Sequence, residues 1–138
     1  MPSRLLRDGL LDSERIDSLS AEAERFYVRL LLVSDDAGRT DARPAVLRSR
    51  CFPLRKDFSL DRVESWLKEC ETANLLTRYV WDRTPYVQIA RVQRYGRGER
   101  SHYPWQDGSF AISYTTIETK HGSIEYVTSS LYIKTPPI

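Results

Sequence analysis

Arg91, Arg94, Arg97 and Arg100 recur every third residue in "RVQRYGRGERSHYPWQDG", residues 91–108, and Tyr95, Tyr103 and Trp105 are interleaved with them. Guanidinium groups at that spacing, in a segment loosened by Gly96 and Gly98, can reach successive phosphates, while aromatic faces can stack on unpaired bases. The same aromatics can instead pin the loop to the protein. Pinning is favoured here because "YPW" lies at an element boundary, where rings usually pack. Two wider basic segments accompany this one. Residues 39–56, "RTDARPAVLRSRCFPLRK", set Arg39, Arg43, Arg48, Arg50, Arg55 and Lys56 against Asp41 alone, and residues 78–100 set six arginines against Asp82 and Glu99. The formal net charge over 138 residues is only +2. Attraction to a polyanion must therefore come from such clustering rather than from overall charge.

Other chemistry finds little material. Asp35 and Asp36 are adjacent carboxylates with no histidine or third acid nearby in sequence, which reads as a polar helix end. His102 and His121 fall in an expected loop and turn, without a nucleophile or an orienting acid. No phosphate loop or dinucleotide-binding glycine pattern occurs. Cys51 and Cys70 are far apart and read as buried reduced thiols, which argues against a zinc site or a disulfide framework. The expectation is a non-enzyme with no cofactor, no catalytic residue and no metal. No apolar run approaches the roughly 18 residues of a membrane span, and charges break the N-terminal segment where a signal peptide needs apolar residues. A cytoplasmic protein without membrane attachment is expected.

The elements that would position the arginines follow from periodicity. Ala23, Phe26, Tyr27, Leu30, Leu31 and Val33 recur at helical spacing from Ser20 to about Ser34, with Ser20 as cap and Gly38 as stop. "GRTDA" can form a short strand. Pro44 suits the first turn of a second helix through "PAVLRSRCF", which Pro53 ends. Ser59 can cap a third helix, "LDRVESWLKECETAN", whose Leu60, Val63, Leu67 and Cys70 form an inward stripe and which Asn74 can terminate. Phe26, Leu30, Val63 and Leu67 are the expected centre of the core. "LLTRYVWDRTPYVQIARV" reads as a hairpin around the turn "DRTP".

Helix, strand, helix, helix, hairpin is the order of a winged helix-turn-helix. The expected fold is thus α+β: three helices and a hairpin wing over residues 1–96, a basic aromatic linker over 97–108, and a β-rich tail over 109–138. In the tail, strands are expected near 109–119 and 123–133 around "KHGS", with "TPPI" as a stop. A lone hairpin needs support, so the tail should either supply a homo-oligomer or partner contact or complete the domain's own sheet. Phosphate contacts are expected from Arg43, Arg48 and Arg50 on the second helix, Arg78 and Arg83 on the wing, and Arg91, Arg94, Arg97 and Arg100 in the linker. The N-terminal end of the third helix offers Ser59, Asp61, Arg62 and Ser65 to a groove. Its Asp61, Glu64, Glu69 and Glu71 oppose phosphates.

Several stretches together resemble a family of small phage and prophage proteins whose winged-helix domain is like that of phage replication initiators and replisome organisers. These are "PSRLLRDGLLDSERIDSLS", "FYVRLLLVSDDAGRTDARPAVLR", "CFPLR", "WLKECETANLLTRYVWDRTPYVQI" and "QRYGRGERSHYP", and the resemblance spans about residues 3–104. The resemblance implies a DNA-binding protein, and it extends to a role in replication initiation. The alternative is a protein-interaction module that engages a host or phage protein through the acidic third helix and the β-tail, as a host-takeover factor or a defence inhibitor would. A winged helix serves either role.

Overall fold

Ser20 begins the first long helix in two ways. Its hydroxyl oxygen accepts the Ala23 N–H at 3.2 Å, and its own N–H and O–H donate to the two carboxylate oxygens of Glu69, each at 2.9 Å. The computed structural model describes residues 11, 13–55 and 57–131. A short helix α1 (Glu14–Asp17), capped by Ser13, precedes α2 (Ala21–Val33), and the periodicity gave no sign of α1. After α2 the chain turns at Gly38, whose φ of +77° suits glycine, into β1 (Arg39–Asp41). Helix α3 (Pro44–Cys51) has its proline in the first turn, where the missing N–H is harmless. Helix α4 (Leu60–Thr72) is capped by the Ser59 hydroxyl on the Arg62 N–H and buries Val63, Trp66, Leu67 and Cys70.

Asn74, at φ +59°, turns the chain after α4 into β2 (Leu76–Trp81), which returns as β3 (Thr84–Ile89). Asp82 and Arg83 both have positive φ, so the turn holds two residues, the tight form that matches strand twist. Thr84 and Pro85, expected in the turn, belong to β3. Strand β3 is central, flanked antiparallel by β1 and β2. The second sheet is the hairpin β4 (Tyr114–Thr119) and β5 (Gly122–Val127), followed by a 3-10 helix, Thr128–Leu131. The expected strands ran longer at both outer ends. Residues 128–131 leave strand geometry because their backbone and hydroxyls serve other partners: the Ser130 carbonyl accepts from Arg91 and its hydroxyl accepts the Val92 N–H. Residues 132–133 and "TPPI" lie outside the described residues, as does most of the opening motif.

The molecule is therefore α+β, with four α-helices among the described residues and two small antiparallel sheets. Phe26, Leu30, Val63 and Leu67 are fully buried at its centre, as their spacing predicts. Ile112 and Val127 of the tail belong to the same core cluster. Residues 92–94 line up beside β5, with the Val127 N–H donating to Val92 at 2.8 Å and the Arg94 N–H to Glu125 at 2.9 Å. The tail thus packs on its own chain.

Candidate nucleic-acid interface

Of the ten arginines expected to contact DNA, six have side-chain hydrogen-bond or ion-pair partners within the chain. Arg43 forms a two-pronged pair with Asp41, closing at 2.6 Å, and this hydrogen bond raises its pKa above the usual arginine value. Arg50 donates to the Thr40 and Tyr103 hydroxyls, each at 3.0 Å, and to the Val33 carbonyl at 2.9 Å. Arg78 joins Glu64 at 2.6 Å and Glu71 at 3.2 Å. Arg94 pairs with Glu125 at 3.1 Å and lies over the Tyr114 ring. Arg62 pairs with Glu22 at 2.7 Å, and Arg48 donates to the Phe58 carbonyl at 3.1 Å. Arg83 and Arg97 are exposed; Arg91 lies beside Tyr126 and Arg100 beside Phe110.

The aromatics of the linker divide. Trp105 packs edge-on to Tyr79, with centroids 4.9 Å apart, and the Arg39 guanidinium sits 5.6 Å from its ring. Tyr103 neighbours Tyr86 and receives Arg50 on its hydroxyl. Both rings are pinned. Tyr95 is 55% exposed and free of ring contacts among the described residues. The backbone between them is held as well. Asp35 accepts from the Ser101 hydroxyl and the His102 N–H, and the Tyr79 hydroxyl donates to Pro104 at 2.6 Å, its pKa pushed up by burial. Residues 101–105 form a strap across the first sheet, so the arginines that precede it do not sit on a loose arm.

At the start of α4 there is a second gathering of cations that periodicity did not single out. Phe52, Phe58 and Trp66 form a buried triad with centroids 5.0–5.6 Å apart. Arg25 and Arg29, four residues apart on α2, place guanidinium carbons 5.4 and 4.6 Å from the Phe52 ring. Arg55 and Arg62 lie 4.4 and 4.6 Å from Phe58. With Arg48 on the Phe58 carbonyl, five guanidinium groups surround the triad. Only two have carboxylate partners among the described residues: Arg55 with Asp57 and Arg62 with Glu22. Arg25, Arg29, Arg55 and Arg62 each lay one cationic face on an aromatic ring. Arg29 is half-buried and also donates to the Cys51 carbonyl at 2.8 Å, whereas Arg25 is exposed. The signal was present in sequence as arginine and phenylalanine interleaved in "CFPLRKDF" and as the four-residue arginine spacing in "ERFYVR".

The outward face of α4 is of opposite character. Asp61 and Glu64 are exposed along it with Lys68, and Glu71 is half-buried. A cleft of about 470 Å³ between the end of α2 and the strap is lined by Asp36, Arg50, Arg100, His102 and Tyr103. Among the described residues no group of three or more His, Cys, Asp or Glu side chains could hold a metal ion, and no helix is long and apolar enough to cross a membrane. Comparison with protein families, curated proteins and solved structures returns no match.

Proposed function

We propose that this chain is a non-catalytic winged-helix protein that binds duplex DNA mainly through phosphates, using the arginine collar around Phe52, Phe58 and Trp66. The winged-helix reading rests on the order α2, β1, α3, α4, β2, β3 with β1 added to the hairpin. The collar is the observation that carries the DNA reading. Arg25, Arg29 and Arg48 have no carboxylate partner among the described residues, and they gather at the N-terminal end of α4, the end that approaches DNA in such folds. Contacts of this kind position a protein without reading bases. Arg83, Arg97 and Arg100 are further exposed cations in this reading. A part in replication initiation rests on the sequence resemblance alone.

Titration of the protein against random duplex at two salt concentrations tests this reading: binding should weaken steeply with salt. Binding that is absent, or indifferent to salt, would refute it. A second reading has its own observation. The acidic outward face of α4, where Arg78 is already neutralised by Glu64 and Glu71, suits a basic protein partner better than a phosphate backbone.

A further inference from the structure

The hairpin β4–β5 has one occupied edge and one open edge. Thr115↔Tyr126, Ile117↔Ile124 and Thr119↔Gly122 are directly opposed. The outer backbone groups of β5 are used near its base, where the Glu125 carbonyl accepts from Arg94 and the Val127 N–H donates to Val92. That parity makes Thr115, Ile117 and Thr119 the residues of β4 whose N–H and C=O face β5, because hydrogen-bonded pairs alternate along an antiparallel ladder. Thr116 and Glu118 therefore aim theirs outward, and among the described residues no backbone group meets them. Ile117 and Ile124 lie on one face of the hairpin, both only half-buried. An open edge beside a half-exposed apolar pair is a template for another strand.

We infer that β4 pairs antiparallel with β4 of a second copy of this chain, about a two-fold axis through Ile117. In this register Thr116 faces Glu118 of the second copy, and the reverse, so the outward groups of both exchange about four backbone hydrogen bonds. The two Ile117 side chains meet at the axis, flanked by the two Ile124 side chains, which makes one apolar row across four strands. On the other face each Glu118, already accepting from the Ser123 hydroxyl at 2.7 Å, lies opposite a threonine. An axis through Glu118 would oppose two carboxylates. An axis through Thr116 would separate the isoleucines. The strand is self-complementary in one register, which is why the occupant is a second copy and not an unrelated peptide.

The open edge allows a selective perturbation. Thr116→Pro removes an N–H that points away from β5 and leaves the internal ladder intact. In sedimentation equilibrium the wild-type mass should rise with concentration from 16.1 kDa towards twice that. Thr116→Pro should weaken this self-association about tenfold or more, through lost hydrogen bonds and edge sterics. Ile117→Cys gives an independent readout even if the proline variant folds poorly. Residues facing each other across a non-hydrogen-bonded pair lie at a separation a disulfide can span, so oxidation should link two chains. Thr119→Cys, two positions off the axis, should not link. The native thiols do not compete, since Cys51 and Cys70 are buried. Wild-type protein that stays monomeric at every concentration, or equal cross-linking at both positions, would overturn the inference. Equal cross-linking would mean random collision, and a persistent monomer would leave the edge to a different protein strand.

Discussion

The Arg39 guanidinium and the Ser129 hydroxyl, 90 residues apart in sequence, lie 3.1 Å apart inside the molecule. Arg39 is 2% exposed and also donates to Gln88 Oε1 and to the Tyr103 carbonyl, each at 3.1 Å, while Ser129 donates to the same Gln88 oxygen at 2.8 Å. One side chain thus ties β1, β3, the strap and the 3-10 helix together. All three of its acceptors are neutral, and burial lowers its pKa from the ordinary arginine value.

Arg39→Ala should destabilise the fold by about 2–4 kcal/mol, because the Tyr103 carbonyl and the Gln88–Ser129 pair lose a buried donor. Urea denaturation followed by circular dichroism measures this. A midpoint equal to wild type would show that the tail and strap are held by apolar packing alone.

Gly108 sits at φ +83°, and a Cβ there would come 2.3 Å from Trp81 Cζ2. Gly108→Ala should cost about 1–3 kcal/mol from left-handed backbone strain and displacement of the indole. Tryptophan fluorescence should shift with it, since Trp81 leaves its seat. Unchanged stability and spectrum would mean that the close approach of Gly108 to the end of β2 is not maintained in solution.

Burial pushes the Cys51 and Cys70 thiols up to about 12, from an ordinary value of 9.0. Both should therefore resist alkylation at pH 8 in native protein and react promptly in denaturant. Linkage gives the direction of the pH effect. A thiol whose pKa is higher in the folded state stabilises the fold fully below about pH 9 and loses that contribution as pH rises towards 12. Stability measured against pH should fall across that window, and Cys51→Ala together with Cys70→Ala should flatten the fall. Rapid modification of native protein at pH 8 would contradict the burial.

The elements with strong local signals were legible in sequence. Ser20 and Ser59 act as helix caps, Pro44 starts α3, Asn74 ends α4, and Phe26, Leu30, Val63 and Leu67 form the core centre. The short α1 was not legible, since four residues carry too little periodicity. Nor was the turn register, because Asp82 and Arg83 adopt positive φ without a glycine to mark it. The arginines show the larger gap. Periodicity and charge counts treat Arg39, Arg50 and Arg97 alike, yet the first is buried, the second serves three internal acceptors and the third is exposed. Which guanidinium remains available depends on carboxylates and carbonyls brought together by folding. Arg25 and Arg29 went unnoticed for the same reason: their neighbour Phe52 is distant in sequence and meets them only when α3 docks on α2.

Fluorescence anisotropy with a labelled random duplex, comparing the wild type, the Arg25→Ala/Arg55→Ala double variant and the Arg97→Ala/Arg100→Ala double variant over a range of salt, tests the central claim most directly. Arg25 and Arg55 are exposed, and neither has a backbone acceptor among the described residues, so their loss should spare the fold. The collar variant should flatten the log-affinity against log-salt slope by about one unit per lost contact, whatever the DNA sequence, and the linker variant should change it less. A collar variant with the wild-type affinity and slope would contradict the account.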